Sequence, residues 1–117
     1  MDDQKFFADC QARVAVDLIS GTWSMVVLYA LADGPVRPGD LRTQIGGISQ
    51  KVLTTTLRRL ERHGLVQRRR YAEAPPRVEY SLTVPGQDLL VPIRALGDWA
   101  DKHAESLLAD DEDRDSA

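Results

Sequence analysis

At 117 residues with 43% of them hydrophobic, the chain can bury one compact core and is too short for two ordinary domains. Its net charge of −3 hides a division: Val36 to Tyr80 holds ten basic residues against four acidic ones, a net of +6, between acidic ends, and such asymmetry points to a polyanion-binding face. No apolar run is long enough to span a bilayer, Met1 to Lys5 is acidic where a secretory leader is basic, and Cys10 has no second cysteine to bridge, so a cytoplasmic protein without an internal disulfide is expected.

In chain order, Val14, Ala15, Leu18 and Ile19 recur at helical spacing and predict a first helix over Cys10 to Ile19, ended by Ser20 and Gly21. Thr22 can cap a second helix over Trp23 to Ala32 that leaves almost no polar face and therefore belongs at the centre of the fold. Gly34 and Pro35 close it, and Val36-Arg37 suits a very short extended segment. Pro38 to Ile45 fits a third helix anchored by Leu41 and Ile45.

Gly46-Gly47 supplies a tight turn, after which Ser49 is a good N-cap for a fourth helix running to His63. Val52, Leu53, Leu57 and Leu60 are expected to pack inward, with Gly64 at the left-handed C-terminal position. The remaining face, Gln50, Lys51, Thr54, Thr55, Arg58 and Arg62, is polar and half cationic.

Val66 to Tyr71 and Arg77 to Leu82 suit strands, the second alternating between Val78, Tyr80, Leu82 and Arg77, Glu79, Ser81. Pro75 and Pro76 cannot donate ladder hydrogen bonds and belong at the exposed tip of this hairpin. Thr83 can cap a last helix striped by Leu89, Ile93, Leu96, Ala100, Ala104 and Leu107, with Pro92 expected to kink it. That stripe exceeds what one small core can cover. Residues 1–109 thus read as a single unit, mainly α with a small β-wing, and residues 110–117, five of them acidic, as a disordered tail.

The ordered series of motifs resembles the HxlR-type branch of the bacterial winged helix-turn-helix regulators. It comprises Cys10, Asp17-Leu18-Ile19-Ser20-Gly21-Thr22-Trp23, Pro38-Gly39-Asp40-Leu41-Arg42 and Gly47-Ile48-Ser49-Gln50-Lys51-Val52-Leu53-Thr54. It continues with Leu57-Arg58-Arg59-Leu60-Glu61-Arg62-His63-Gly64-Leu65-Val66 and Pro76-Arg77-Val78-Glu79-Tyr80-Ser81-Leu82-Thr83. Departures from the family pattern are local: Gln11 for proline, Thr22 for lysine and Pro38 for an aromatic residue. The resemblance implies a homodimeric, DNA-binding transcriptional regulator, expected here to be a repressor with dimerisation helices at both ends.

In such docking Ser49, Gln50, Lys51, Thr54 and Thr55 lie where a recognition helix reaches base edges of duplex DNA, with Arg58 nearer the phosphates. Arg68, Arg70 and Arg77 are the candidate contacts of the wing, although alternation requires one or two of Arg68, Arg69 and Arg70 to face the core side. Arg77 has an alternative in ion pairs with Glu73 or Glu79. Leu89, Ile93, Leu96, Trp99, Ala100 and Leu107 are the candidate dimer contacts, and a two-fold dimer selects a pseudo-palindromic operator.

Cys10 opens a helix, where backbone dipoles favour a thiolate while Asp9 opposes one. It is a candidate redox or electrophile sensor, the alternative being a small packing residue. A pocket between the second and last helices could serve a small-molecule effector instead. No Cys/His cluster has metal spacing, no Gly-rich phosphate loop follows a strand, and no nucleophile stands beside a base, so neither cofactor nor catalysis is expected. The rival class, an RNA- or protein-binding module without a sensing role, predicts exposed aromatics on the basic face, where only Tyr71 qualifies.

Overall fold

The structure is a computed structural model that describes residues 11–116; Cys10 lies outside the described residues. The elements are α1 (Gln11–Ile19), α2 (Ser24–Ala30), α3 (Pro38–Ile45), α4 (Gln50–Arg62), β1 (Val66–Tyr71), β2 (Arg77–Leu82), α5 (Val84–Asp88) and α6 (Leu90–Ser116). The two strands form an antiparallel sheet in which Val66 pairs with Leu82 and Tyr71 with Arg77. Val36 adds a single bridge, its N–H and C=O each exchanged with Tyr80 at 2.9 Å, which realises the short extended segment expected there. Among the described residues no helix is long and apolar enough to cross a membrane.

Leu28 of α2, Leu41 of α3 and Leu53, Leu57 and Leu60 of α4 are fully or almost fully buried, and they join Leu65, Val66, Tyr80, Leu82 and Ile93 in one cluster. Each such side chain contributes roughly 1.5–3 kcal/mol by leaving water, which fixes α4 against α2, α3 and the base of the hairpin. At the front of α4, Ser49 is extended and its Oγ accepts the Val52 N–H at 3.1 Å. At the back, the Leu65 N–H donates to the Leu60 carbonyl and the Gly64 N–H to the Glu61 carbonyl, both at 3.0 Å, closing a Schellman motif over Gly64 at φ +76.

Several expectations are corrected. Trp23, not Thr22, occupies the N-cap position of α2, without a side-chain cap; Ser24, fully buried, instead donates to the Ser20 carbonyl at 3.0 Å and ties the helix to the preceding turn. The expected helix also stops early, at Ala30. Nor is α2 covered on all sides, because Val26 and Tyr29 are about half exposed.

In α4, Val52 is 39% exposed and Thr56 takes the buried position predicted for it. Thr56 donates its hydroxyl to the Val52 carbonyl at 2.8 Å, so it enters the core with its proton satisfied.

The last helix is broken, not kinked at Pro92. Thr83 caps only α5, its Oγ1 accepting the Gly86 N–H at 3.2 Å while donating to the Gly64 carbonyl at 2.6 Å, and the chain turns at Leu89. This places Pro92 in the first turn of α6, where its missing N–H costs no helical bond. The helix then continues to Ser116, through the segment expected to be a disordered tail.

Candidate nucleic-acid interface

The chain between α3 and α4 is short, Gly46 to Ser49, so the two helices form a helix-turn-helix whose second member is held at both ends. On α4 the buried row Leu53, Thr56, Leu57 and Leu60 fixes the rotation of the helix, and the opposite row Lys51, Thr55, Arg58 and Arg62 is left exposed. Gln50 is exposed at the front, with Nε2 3.4 Å from the Thr54 hydroxyl, and Thr54 is half-buried toward the hairpin. Ser49 is exposed as well, but its oxygen is engaged as the cap.

Arg59 has a structural role that sequence reasoning passed over. Its guanidinium donates to the Ser20 carbonyl and to Ser24 Oγ in the turn between α1 and α2, filling space left beside Gly21 by the absence of a side chain. On the same flank His63 Nδ1 lies 3.2 Å from the Leu18 carbonyl. The signal available in the sequence was only that Arg59 stands off the Lys51–Arg62 row. Reach across 39 positions has no local signature.

Register sorts the arginines of the hairpin. Arg68 faces Tyr80 and Arg70 faces Val78, on the side of the sheet that carries Val66 and Leu82 into the core, whereas Arg69 faces Glu79 and Tyr71 faces Arg77 on the other side. Arg68 and Arg70 remain exposed beyond the edge of the core, and Arg68 Nε approaches Glu61 of α4 at 3.9 Å, which brings this row alongside the C-terminal half of that helix.

Arg77 makes the ion pairs named as its alternative. It is only half-exposed, ion-paired with Glu73 at 3.3 Å and Glu79 at 3.6 Å, and its guanidinium lies 4.1 Å from the Tyr71 ring centroid. Its charge is already balanced within the hairpin. Arg69 approaches the same ring at 4.9 Å.

The stripe proposed for dimer contact is divided by the fold. Ile93, 8% exposed, belongs to this chain's own core, and Leu89 packs against that core. Leu96, Trp99 and Leu107 stay about half exposed and Ala100 half-buried. With Met25, Val26 and Tyr29 of α2, Leu96 and Ala100 line a groove of about 590 Å³, rimmed by Arg94, Asp98 and Asp101.

Comparison with known proteins agrees with this architecture. Residues 18–107 match the family model described as HxlR-like helix-turn-helix. The chain is 42% identical over 103 residues to the HTH-type transcriptional regulator YkvN of Bacillus subtilis, covering 88% of this chain and 87% of that one. Among solved structures it is similar to the redox regulator HypR in its reduced form, with TM-score 0.77, 34% identity and coverage of 84% and 97%. It is also similar to the reduced form of the transcriptional regulator YodB of B. subtilis, with TM-score 0.72, 32% identity and coverage of 83% and 95%. The chain belongs to the HxlR-like helix-turn-helix family of transcriptional regulators.

Proposed function

We propose that the protein is a homodimeric, sequence-specific DNA-binding repressor whose α4 enters the major groove of a pseudo-palindromic operator while the hairpin lies over the flanking backbone. The observation that carries this reading is the row Lys51, Thr55, Arg58 and Arg62, left exposed by the described residues on a helix fixed at both ends. Ser49, Gln50, Lys51, Thr54 and Thr55 lie toward the bases, and Arg58, Arg68 and Arg70 toward phosphates. Footprinting on the DNA flanking the protein's own gene tests the reading, and protection no different from random DNA defeats it.

Salt titration separates the roles. Each phosphate contact steepens the fall of log affinity with log salt by about 0.9, so Arg58→Ala is expected to flatten that slope by about one contact, whereas Arg77→Ala leaves it unchanged. An equal effect of both would remove the distinction drawn from the ion pairs of Arg77.

Similarity to a protein described as a redox regulator supports reading Cys10 as the signal-receiving thiol. Diamide or a quinone is then expected to change the operator affinity of the wild type and to leave Cys10→Ser unaffected. Identical responses would retire the thiol and leave the groove between α2 and α6 as the place for a small effector.

A further inference from the structure

We infer that Val52 reads the 5-methyl group of a thymine in the operator, an apolar specificity contact set within an otherwise polar and cationic face. This rests on the placement of α4 in the major groove. Val52 is 39% exposed although its helix offers a buried face one position away, so the side chain stands at the edge of the exposed row, in the first turn that would meet base edges.

Its surroundings leave part of it facing solvent and make it stiff. The Val52 N–H is held by Ser49 Oγ at 3.1 Å, its carbonyl by the Thr56 hydroxyl at 2.8 Å, and a β-branched residue in a helix has one strongly preferred rotamer. Thr55, one turn further along the exposed side, donates its only hydroxyl proton to the Lys51 carbonyl at 2.9 Å and has none left for a base acceptor.

The flank formed by Val52 and Thr55 therefore offers methyl groups and no free donor. In the major groove the one apolar feature of a base pair is the thymine methyl, and aliphatic side chains and the threonine methyl are its usual contacts. Lys51 beside Val52 supplies the attraction to the duplex, and the neighbouring apolar flank adds discrimination of thymine from cytosine. A fixed apolar surface does this by favouring the methyl and by leaving a cytosine amino group unpaired.

The test replaces each thymine of the footprinted operator, one at a time, by deoxyuridine, which removes only the methyl. Wild type is expected to lose about fourfold in affinity, the worth of one buried methyl, at one thymine position per half-site. Val52→Ala is expected to lose the same factor on the unmodified operator and to become indifferent to deoxyuridine there, with binding to random duplex and its thermal melting temperature unchanged. Indifference of the wild type to every replacement, or undiminished sensitivity in Val52→Ala, overturns the assignment. A wild type that prefers no operator to random duplex fails the proposed function itself, whereas a selective protein blind to the methyl fails only this inference.

Discussion

Leu96→Glu is expected to separate the protomers and lower operator affinity on the order of 10²-fold or more, while the helical circular dichroism signal persists. Leu96 is half exposed on α6 and lines the groove against α2, so a carboxylate there reaches water in the isolated chain and is stranded only if a second copy covers it. The size of the effect follows from linkage. Two recognition helices joined in one particle bind the second half-site as an intramolecular event, an advantage commonly of 10²–10⁴ that disappears with the dimer. Sedimentation and operator titration on the same sample provide the check, and a wild type that is monomeric at micromolar concentration, or a glutamate variant that remains dimeric and fully active, would overturn the proposed interface.

Gly86→Ala is expected to be the most damaging of the single-methyl additions. A Cβ at this position collides with the backbone carbonyl of Leu65 and lies 3.3 Å from Leu82 Cδ2, and the obstacle is main chain pinned by the Leu65 carbonyl to the Thr83 N–H at 3.1 Å. Neither side can give without moving α5 away from the base of the hairpin. Overpacking of this kind costs about 1–3 kcal/mol, and each kcal/mol lowers the melting temperature by roughly 4–8 °C in a domain near this size. Gly39→Ala is the control: it sits in helical α3 with open space around it, and it should be neutral or slightly stabilising. Equal melting temperatures for the two variants would remove the close approach as a determinant of stability.

Much of the architecture was legible because its determinants are local. A serine before a periodic apolar row, a glycine after it, two prolines between alternating strands and a threonine ahead of the last helices each act within a turn, and Ser49, Gly64, Pro75-Pro76 and Thr83 stand where those local rules put them. The basic exposed row of α4 was legible for the same reason. What escaped required knowledge of partners distant in sequence. Thr56 lies in the buried row that Val52 was expected to join, because a threonine bonded back to its own helix is apolar enough to be buried, a state that residue type does not encode. Ile93 has the periodicity of its neighbours on α6, and only the direction in which α6 leaves the core separates it from Leu96. Arg59 was counted as charge when its role is to hold a carbonyl in another part of the chain.

The three moorings of α4 bear on the entropy of binding. The serine cap fixes its front, the Schellman turn its rear, and Arg59 its middle through the turn that joins α1 to α2. A recognition helix that must be ordered by DNA surrenders backbone freedom on association, and each residue so fixed weakens binding by about 1–2 kcal/mol. Here that ordering is complete before the duplex is met. In the proposed complex the long side chains, among them Lys51 and Arg58 of α4 and Arg68 and Arg70 of the hairpin, are what DNA must still immobilise, so more of the gross contact energy is retained as affinity.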